Sequence, residues 1–269
     1  APGWRAISDD PNGPAALAAR QAILDESWEA TTPDRRNFLV EACRSRRVLD
    51  LGCAGQGTRV GDPAWLHGQL TAVASSCVGA DHDIAGIESM RAGGYDAVVT
   101  DVALAADELL ALEPFDVVVA GELIEHLDRP ADVLDLARQV LAPDGSLIVT
   151  TPNPFSLGSV AASRSRRQRE NCDHTVLLSA SGMVELADRH GFELVEHRIT
   201  EPPSRRLLVV RAVKAELWHL RHRDRPRPPW IVPLRHVLAA LPDWDGGQLG
   251  ETSIFVLRTK DVAGRDAPH

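Results

Sequence analysis

The segment from residue 121 to residue 127, which reads GELIEHL, carries the side chains whose spacing best suits chemistry. On a helical turn, positions i, i+3 and i+4 share one face, so Glu122, Glu125 and His126 are expected to point together. Two carboxylates and an imidazole suit a hard or borderline divalent cation. The spacing therefore predicts three of the ligands of a metal site.

Two residues further along the chain are candidates to complete this site. His174 lies in an Asp-His-Thr sequence just before a predicted helix, and Asn153 follows Thr150-Thr151-Pro152. The imidazole offers a nitrogen ligand or a base that titrates near neutral pH, and the amide offers an oxygen ligand. The alternative is that the Glu-His pair only shapes a pocket and that His174 is a loop histidine without a ligand.

A glycine-rich turn and two aspartates form a second group of candidates. Residues 48–57 read VLDLGCAGQG, an apolar run that enters a glycine loop. Glycine allows positive φ and close approach of the backbone to a ligand. Asp81 lies 24 residues after Gly57 and ends the second apolar run, where a carboxylate can accept ribose hydroxyls, and Asp101 ends the third. Each aspartate alone suits a helix N-cap equally well, but the loop and both carboxylates together favour a nucleotide-containing cofactor.

The elements that must position these residues alternate between short apolar runs and helical stretches. This alternation is typical of a parallel sheet covered on both faces. Seven strands are predicted: Val48–Leu51, Cys77–Ala80, Ala97–Thr100, Phe115–Ala120, Ser146–Thr150, Phe192–Ile199 and Ser253–Arg258. Helices are predicted near 63–74, 84–92, 104–112, 130–141 and 180–190. We therefore expect an α/β fold with a Rossmann-like, seven-stranded, mostly parallel sheet.

The remaining segments are predicted from composition and turn residues. Residues 143–145, Pro-Asp-Gly, are expected to form a turn, and residues 152–172 a polar loop. The expected domain organisation is an N-terminal helical cap (1–46), a catalytic core (47–200), a basic insertion or lid before the last strand (201–250), and the last strand with a tail (251–269).

Charge and cysteine usage narrow the class of protein. The formal net charge of −9 disfavours a general nucleic-acid binder, because neutralising phosphates needs clustered Lys and Arg. The four cysteines, Cys43, Cys53, Cys77 and Cys172, show no metal-binding spacing and are expected to be free thiols. No apolar run approaches the roughly 20 residues of a membrane-spanning helix, so a cytoplasmic protein is expected.

At residues 45–200 the chain resembles the class I S-adenosylmethionine-dependent methyltransferases, an enzyme family with a D-x-G-x-G-x-G-like loop. The resemblance implies that Asp50, Gly52 and Gly55 hold the methionine part of the cofactor. It implies that Asp81 holds the ribose, and that Asp101 with its neighbour Val102 holds the adenine. One departure is Ala54, which stands where the family commonly has its second glycine.

The GELIEHL segment is similar to those of two metal-dependent branches of that family. Small-RNA 2′-O-methyltransferases carry E-x-x-E-H and a later D-H motif, which match Glu122, Glu125, His126 and His174. Ubiquinone-biosynthesis O-methyltransferases carry E-x-x-E-H followed by T-x-N, which matches Asn153. The resemblance implies O-methylation assisted by Mg²⁺ or Mn²⁺, with Zn²⁺, Fe²⁺ and Co²⁺ left open. His126 or His174 is the expected proton acceptor.

The acceptor and partners are predicted from basic segments. Arg164, Arg166, Arg167 and Arg169 could grip a phosphate beside the acceptor mouth, or form a solvated loop. A second basic region, residues 205–227, suggests a lid, an interfacial helix or a dimer surface. The string T-P-N-P-F-S is similar to that of bacterial methyltransferases of sugar pathways, which implies a glycosyl hydroxyl on a small molecule or glycan. The alternatives are an RNA 3′-terminal ribose, an aromatic hydroxyl, and a cofactor-binding scaffold without catalysis.

Overall fold

A computed structural model describes residues 3–55, 60–104, 107–164, 171–200, 205–222, 234–235, 238 and 249–260. Its strands are Trp28–Thr32 (β1), Arg47–Leu51 (β2), Ser76–Asp81 (β3), Asp96–Val99 (β4), Phe115–Gly121 (β5), Leu141–Pro152 (β6), Phe192–Thr200 (β7) and Thr252–Thr259 (β8). Its helices are Pro14–Ser27 (α1), Arg35–Ala42 (α2), Leu66–Val73 (α3), Ile84–Ala92 (α4), Asp107–Leu110 (α5), Ala131–Val140 (α6), Leu157–Arg164 (α7), Ala180–Arg189 (α8) and Arg205–Arg221 (α9).

The strands form one mixed sheet in the order β1-β7-β8-β6-β5-β2-β3-β4. Strand β8 is antiparallel to both of its neighbours, and every other adjacent pair is parallel. The predicted α/β fold with a mostly parallel sheet is thus confirmed. From β2 the chain continues to β3 and β4 on one side and then to β5 and β6 on the other. This reversal opens a crevice at the carboxyl ends of the central strands, where open α/β sheets bind ligands.

Alternating side chains of the strands pack into apolar clusters on both faces of the sheet, and the two larger clusters meet at β2. Leu49 of β2 lies in the larger cluster with Leu134 of α6, whereas its neighbour Val48 packs with Leu39 of α2 and Leu70 of α3. The period of two along the strand sends successive residues to opposite faces. Both faces of β2 are therefore buried, and this packing holds its carboxyl end at the crevice.

Three local predictions were wrong. The first 46 residues are not only helical, because β1 adds a parallel edge strand beside β7. The segment expected to be a polar loop contains α7. The Pro-Asp-Gly sequence at 143–145 lies within β6, where the register against β5 slips between Phe115, opposite Leu141, and Val117, opposite Ser146. The predicted turn is therefore an irregularity inside a long strand.

The N-terminal segment is fastened to α8 through Glu185. Its carboxylate accepts hydrogen bonds from Trp4 Nε1 at 2.9 Å and Arg189 Nε at 2.8 Å, and it also pairs with Arg5 and Arg20. Burial alone would raise the pKa of Glu185, but these donors outweigh it and lower the pKa to about 2. Within the described residues, no helix is both long and apolar enough to cross a membrane.

Candidate active site

A cavity of about 1070 Å³ lies at the carboxyl ends of β2, β3, β4 and β5. One side of it is lined by every residue that the sequence predicted for cofactor binding: Asp50, Gly52, Ala54, Gly55, Asp81, Asp101 and Val102. The other side is formed by α2 and by the segment that follows β5, with Arg35, Glu122 and His126 on its wall. The two sides meet at Gly121, the last residue of β5.

The glycine loop after β2 takes the conformation that its composition predicts. Gly52 and Gly55 have φ of +73° and +62°, values that other residues adopt at a cost. A Cβ added at Gly52 would lie 3.2 Å from Leu123 Cδ1, so the loop also packs tightly against the segment after β5. Gly57 lies outside the described residues.

Asp81 joins the end of β3 to this loop. Its carboxylate accepts hydrogen bonds from the Ala54 amide and the Asp83 amide, both at 2.9 Å. The bond to Ala54 ties the acid to the glycine loop and keeps both on the cavity wall. Asp101 is exposed at the end of β4 and accepts a hydrogen bond from the Ala103 amide at 2.8 Å. Both aspartates thus accept a hydrogen bond from a backbone amide in a turn. Both also line the side of the cavity that holds the residues predicted to bind the cofactor, which we call the cofactor side.

Sequence reasoning missed a histidine beneath the loop. His67 of α3 is 1% exposed, and its Nδ1 lies 3.0 Å from Oδ2 of Asp50, which is 3% exposed. The His67 Nε2 is buried and makes no hydrogen bond within the described part of the chain. Since the pair joins residues 17 positions apart on two elements, no local spacing signals it. His67 thus holds the buried Asp50 carboxylate in place just before the glycine loop.

The second group of candidates follows β5 and differs from the prediction at its first member. Glu122 has φ of +54° and precedes a short 3-10 helix at Ile124–His126, so it does not share a helical face with Glu125. Ligand atoms of Glu125, His126 and His174 all lie within 4.8 Å of one another, and Glu122 is not part of this group. The structure therefore brings together three of the four residues predicted as metal ligands.

Glu122 is held by Arg35 instead. Its Oε1 lies 3.2 Å from Arg35 Nη1 and accepts a hydrogen bond from Thr150 Oγ1 at 3.3 Å. Arg35 Nη1 also donates to Thr150 Oγ1 at 2.9 Å. The backbone at Glu122 is left-handed, and this carboxylate contacts Arg35 of α2 rather than joining the three-residue cluster.

Glu125 is the buried member of the cluster. It is 1% exposed, Thr151 Oγ1 donates to its Oε2 at 3.0 Å, and its Oε1 has no hydrogen-bond partner among the described residues. Burial, and secondarily the charge of Glu122, raises the pKa of Glu125 to about 7. A bound cation would favour the ionised carboxylate, so this residue is suited to receive one.

The two histidines are oriented by their neighbours. His126 Nδ1 lies 3.1 Å from Asp173 Oδ2, which leaves Nε2 as the other ring position for a ligand. The rings of His126 and His174 meet edge to face with centroids 4.7 Å apart. The Thr175 amide donates to the Glu125 carbonyl at 2.8 Å. This bond brings a loop about 50 residues away in sequence against the 3-10 helix and explains how His174 reaches the cluster.

The other candidates are placed as follows. Asn153 is buried, its Oδ1 accepts from the Phe155 amide at 3.0 Å and its Nδ2 donates to the Gly250 carbonyl at 2.8 Å. The amide thus organises a turn that joins β6 to the chain before β8. Residues 165–170, with three of the four clustered arginines, and the side chain of Arg164 lie outside the described part of the structure.

Comparison with known proteins identifies the family. The family model described as "Methyltransferase domain" matches residues 22–197, which is more than half of the chain. Two mycobacterial relatives are named as S-adenosylmethionine-dependent methyltransferases. The one from Mycobacterium tuberculosis is 33% identical over 195 residues, covering 65% of this chain and 67% of that protein. The one from Mycolicibacterium smegmatis is 32% identical over 157 residues, covering 58% of this chain and 55% of that protein.

A further relative is named as a ubiquinone biosynthesis O-methyltransferase, from Caulobacter. It is 31% identical over 169 residues, covering 52% of this chain and 63% of that protein. Two solved structures share the fold at low identity. A chain of the complex between the Haloferax volcanii Trm112 methyltransferase activator and a methyltransferase has a TM-score of 0.53 at 13% identity, covering 91% of this chain and 95% of its own. A methyltransferase homologue from Bacillus halodurans has a TM-score of 0.52 at 15% identity, covering 84% of this chain and 98% of its own.

Proposed function

This chain belongs to the S-adenosylmethionine-dependent methyltransferases, and we propose that it is an O-methyltransferase acting on a hydroxyl of a sugar-containing small molecule or glycan, assisted by a divalent cation. The observation that carries the proposal is the proximity of Glu125, His126 and His174, whose ligand atoms lie within 4.8 Å of one another. Glu125 and His126 follow β5 directly, and His174 joins them from the loop before α8. His126 lines the side of the cavity formed by α2 and the segment after β5, which we call the acceptor side.

The cofactor side of the cavity fits S-adenosylmethionine. The left-handed glycines at 52 and 55 leave room for close approach to the backbone, and the carboxylates of Asp50, Asp81 and Asp101 suit a cationic ligand with ribose hydroxyls. When bound, this cofactor supplies a methyl group on a sulfonium, a good leaving group. The remaining catalytic task of the protein is to align the acceptor oxygen with that methyl and to accept its proton.

The cluster is chemically suited to a divalent cation. Two imidazoles and one carboxylate are usual ligands of such ions, and the buried Glu125 Oε1 lacks a hydrogen-bond partner in the described structure. The carboxylate of Asp173 orients His126 in the manner of an outer-shell residue. A cation held here would orient a hydroxyl and lower its pKa. Mg²⁺ or Mn²⁺ is our first choice, and the imidazoles leave Zn²⁺, Fe²⁺ and Co²⁺ open.

In the transfer step a carbon–oxygen bond forms as the carbon–sulfur bond breaks, and the hydroxyl proton leaves. We propose that the imidazole of His174 or His126 accepts that proton if it does not bind the cation. A vicinal diol, as in a sugar, would present one hydroxyl for transfer and a neighbour for chelation. An aromatic hydroxyl is a second candidate, because several relatives are named as ubiquinone biosynthesis O-methyltransferases.

The experiment is an assay of S-adenosylhomocysteine release with a panel of sugars, sugar phosphates and catechols. Exhaustive chelation should abolish turnover while cofactor binding persists, and Mg²⁺ or Mn²⁺ should restore it. His174→Ala should lower kcat far more than it weakens cofactor affinity. His190→Ala is the matched control, because His190 pairs with Asp135 and does not line the cavity.

Full turnover in chelated protein would remove the cation from the mechanism and leave His174 as a proton acceptor. Cofactor binding without consumption across the panel would favour the scaffold alternative. Methylation of catechols in preference to sugars would assign the aromatic acceptor.

A further inference from the structure

Two consecutive arginines at the start of α2, Arg35 and Arg36, line the acceptor side of the cavity. Both are half-buried. They reach the site from the N-terminal part of the chain, far in sequence from the other residues on that wall. The Asp34 side chain accepts a hydrogen bond from the Arg36 amide at 2.7 Å and caps the helix. Because this amide is already bonded, we consider the arginine side chains as the contacts for a ligand.

Arg35 is fixed above the end of β5. Its Nη1 contacts Glu122 at 3.2 Å and Thr150 at 2.9 Å, and a Cβ added at Gly121 would lie 3.9 Å from it. The guanidinium therefore lies where the cofactor side and the acceptor side of the cavity meet. Its other N–H groups make no hydrogen bond to the described residues, so they are available to a ligand in the cavity that Arg35 lines.

Arg36 has no carboxylate within 4 Å in the described parts of the chain, although it is half-buried on a cavity wall. The nearby acids are mostly engaged elsewhere. Glu122 pairs with Arg35, Asp132 lies 3.5 Å from Arg129, and Asp173 lies 3.1 Å from His126. Asp128 is exposed and makes no ion pair with the described residues. Arg36 is thus a partly desolvated cation without a counter-ion among the described residues, which favours binding of an anion.

We propose that Arg36, with the outward N–H groups of Arg35, forms a subsite for a compact oxyanion, phosphate or carboxylate, carried by the acceptor. The proposal rests on the function proposed above, because it places this anion beside the reacting hydroxyl. Adjacent threonines of β6 link the two positions, since Thr150 bonds Arg35 and Glu122 while Thr151 bonds Glu125. We propose that one small acceptor contacts both the arginines and His126, which line the same cavity, so neutral sugars would lack one of its anchors.

The test is calorimetric titration of metal-free protein, saturated with S-adenosylhomocysteine and dialysed free of chelator. Inorganic phosphate and acetate serve as probes at low ionic strength, and the tighter of the two assigns the class of anion. We expect Arg36→Gln to weaken binding of that anion by roughly tenfold or more, as loss of a charge-assisted contact does. Arg36→Lys should keep part of the affinity, because it retains the charge.

Arg46→Gln is the matched control, since Arg46 is exposed and does not line the cavity. It should bind the anion as the wild type does. S-adenosylhomocysteine affinity should be equal in all variants, which shows that each is folded. Wild-type affinity in Arg36→Gln, or no binding of either anion to the wild type, would overturn the subsite. The readout needs neither cation nor acceptor, so it is independent of the chelation result that decides the proposed function.

Discussion

Glu122 shows how one backbone dihedral changes a set of candidate ligands. Its φ of +54° turns the carboxylate to Arg35, whereas Glu125 remains with the two histidines. We predict that Glu125→Gln weakens Mn²⁺ binding strongly, because it removes a charged ligand, and that Glu122→Gln leaves the affinity within about threefold, under 1 kcal/mol. Titration followed by the free-ion EPR signal measures both. Equal losses in the two variants would return Glu122 to the ligand set.

His67 is the residue whose loss should cost stability at the cofactor loop. It is the hydrogen-bond partner of the Asp50 carboxylate in the described structure, and both side chains are buried. His67→Ala should lower the free energy of unfolding by about 1–3 kcal/mol, since it leaves a buried charge without a partner.

Urea unfolding measures the effect of this substitution. His82→Ala is the control, because the His82 side chain is 87% exposed and its removal should change stability little. An unchanged midpoint in His67→Ala would show that Asp50 does not depend on this histidine.

Local spacing predicted the residues that follow one another along a strand end or a short helix. Glu125 and His126 come from one 3-10 turn, and Asp81 and Asp101 from strand ends. The pairs that join distant segments could not be found this way. His67 and Asp50 are 17 positions apart, and Arg35 and Thr150 are 115 apart. Such contacts depend on how α2 and α3 pack over the sheet, which a single sequence does not specify.

Among the elements, strands that are buried on both faces were predicted from the sequence. An edge strand whose order depends on pairing with its neighbour was not. The apolar runs of β2, β3 and β5 are visible because a dry strand must be continuously hydrophobic. Strand β1 reads WEATT and buries only Thr32 fully, so its composition does not indicate a strand. Its pairing with β7 stabilises the extended conformation. The Pro-Asp-Gly sequence within β6 was predicted as a turn because the residue types found where strand register shifts are also those found in turns.

Strand β7 carries a buried histidine that should make the sheet sensitive to acid. His197 stacks on Phe255 of β8 with ring centroids 4.8 Å apart, and burial lowers its pKa to about 4. Below about pH 6.5 His197 takes up a proton in the unfolded chain, whereas in the folded chain it is not protonated until about pH 4, so the contribution of this histidine to stability falls across this window. The shift corresponds to about 3 kcal/mol at most.

His197→Phe should therefore remove this loss, so the unfolding free energy of the variant relative to that of the wild type should rise as the pH falls from 6.5 to 4. Both proteins should still lose stability below about pH 4.5, because the pKa of Glu185 is lowered to about 2 and its ion pairs are lost on protonation. Urea unfolding at a series of pH values measures this. Parallel curves from pH 6.5 to 4 would show that His197 is protonated without cost.

At the scale of the whole molecule, the site exists because the sheet gathers segments that the chain keeps far apart. The glycine loop, the acid after β3, the turn after β5, the loop before α8 and the start of α2 all meet at one edge. On a chain with a net charge of −9, the anionic acceptor proposed above would need cations beside it, and Arg35 and Arg36 are two such side chains on the cavity wall. The reversal of strand order at β2 explains why that edge is open to a cofactor.

The most direct test of a cation-assisted methyltransferase site is a crystal structure of the protein with S-adenosylhomocysteine and Mn²⁺, with anomalous data collected at the manganese edge. We expect the cofactor against the glycine loop and Asp81, and an anomalous peak within about 2.0–2.4 Å of ligand atoms of Glu125, His126 and His174. Bound cofactor with no anomalous peak at this cluster, at Mn²⁺ concentrations that support turnover, would contradict it.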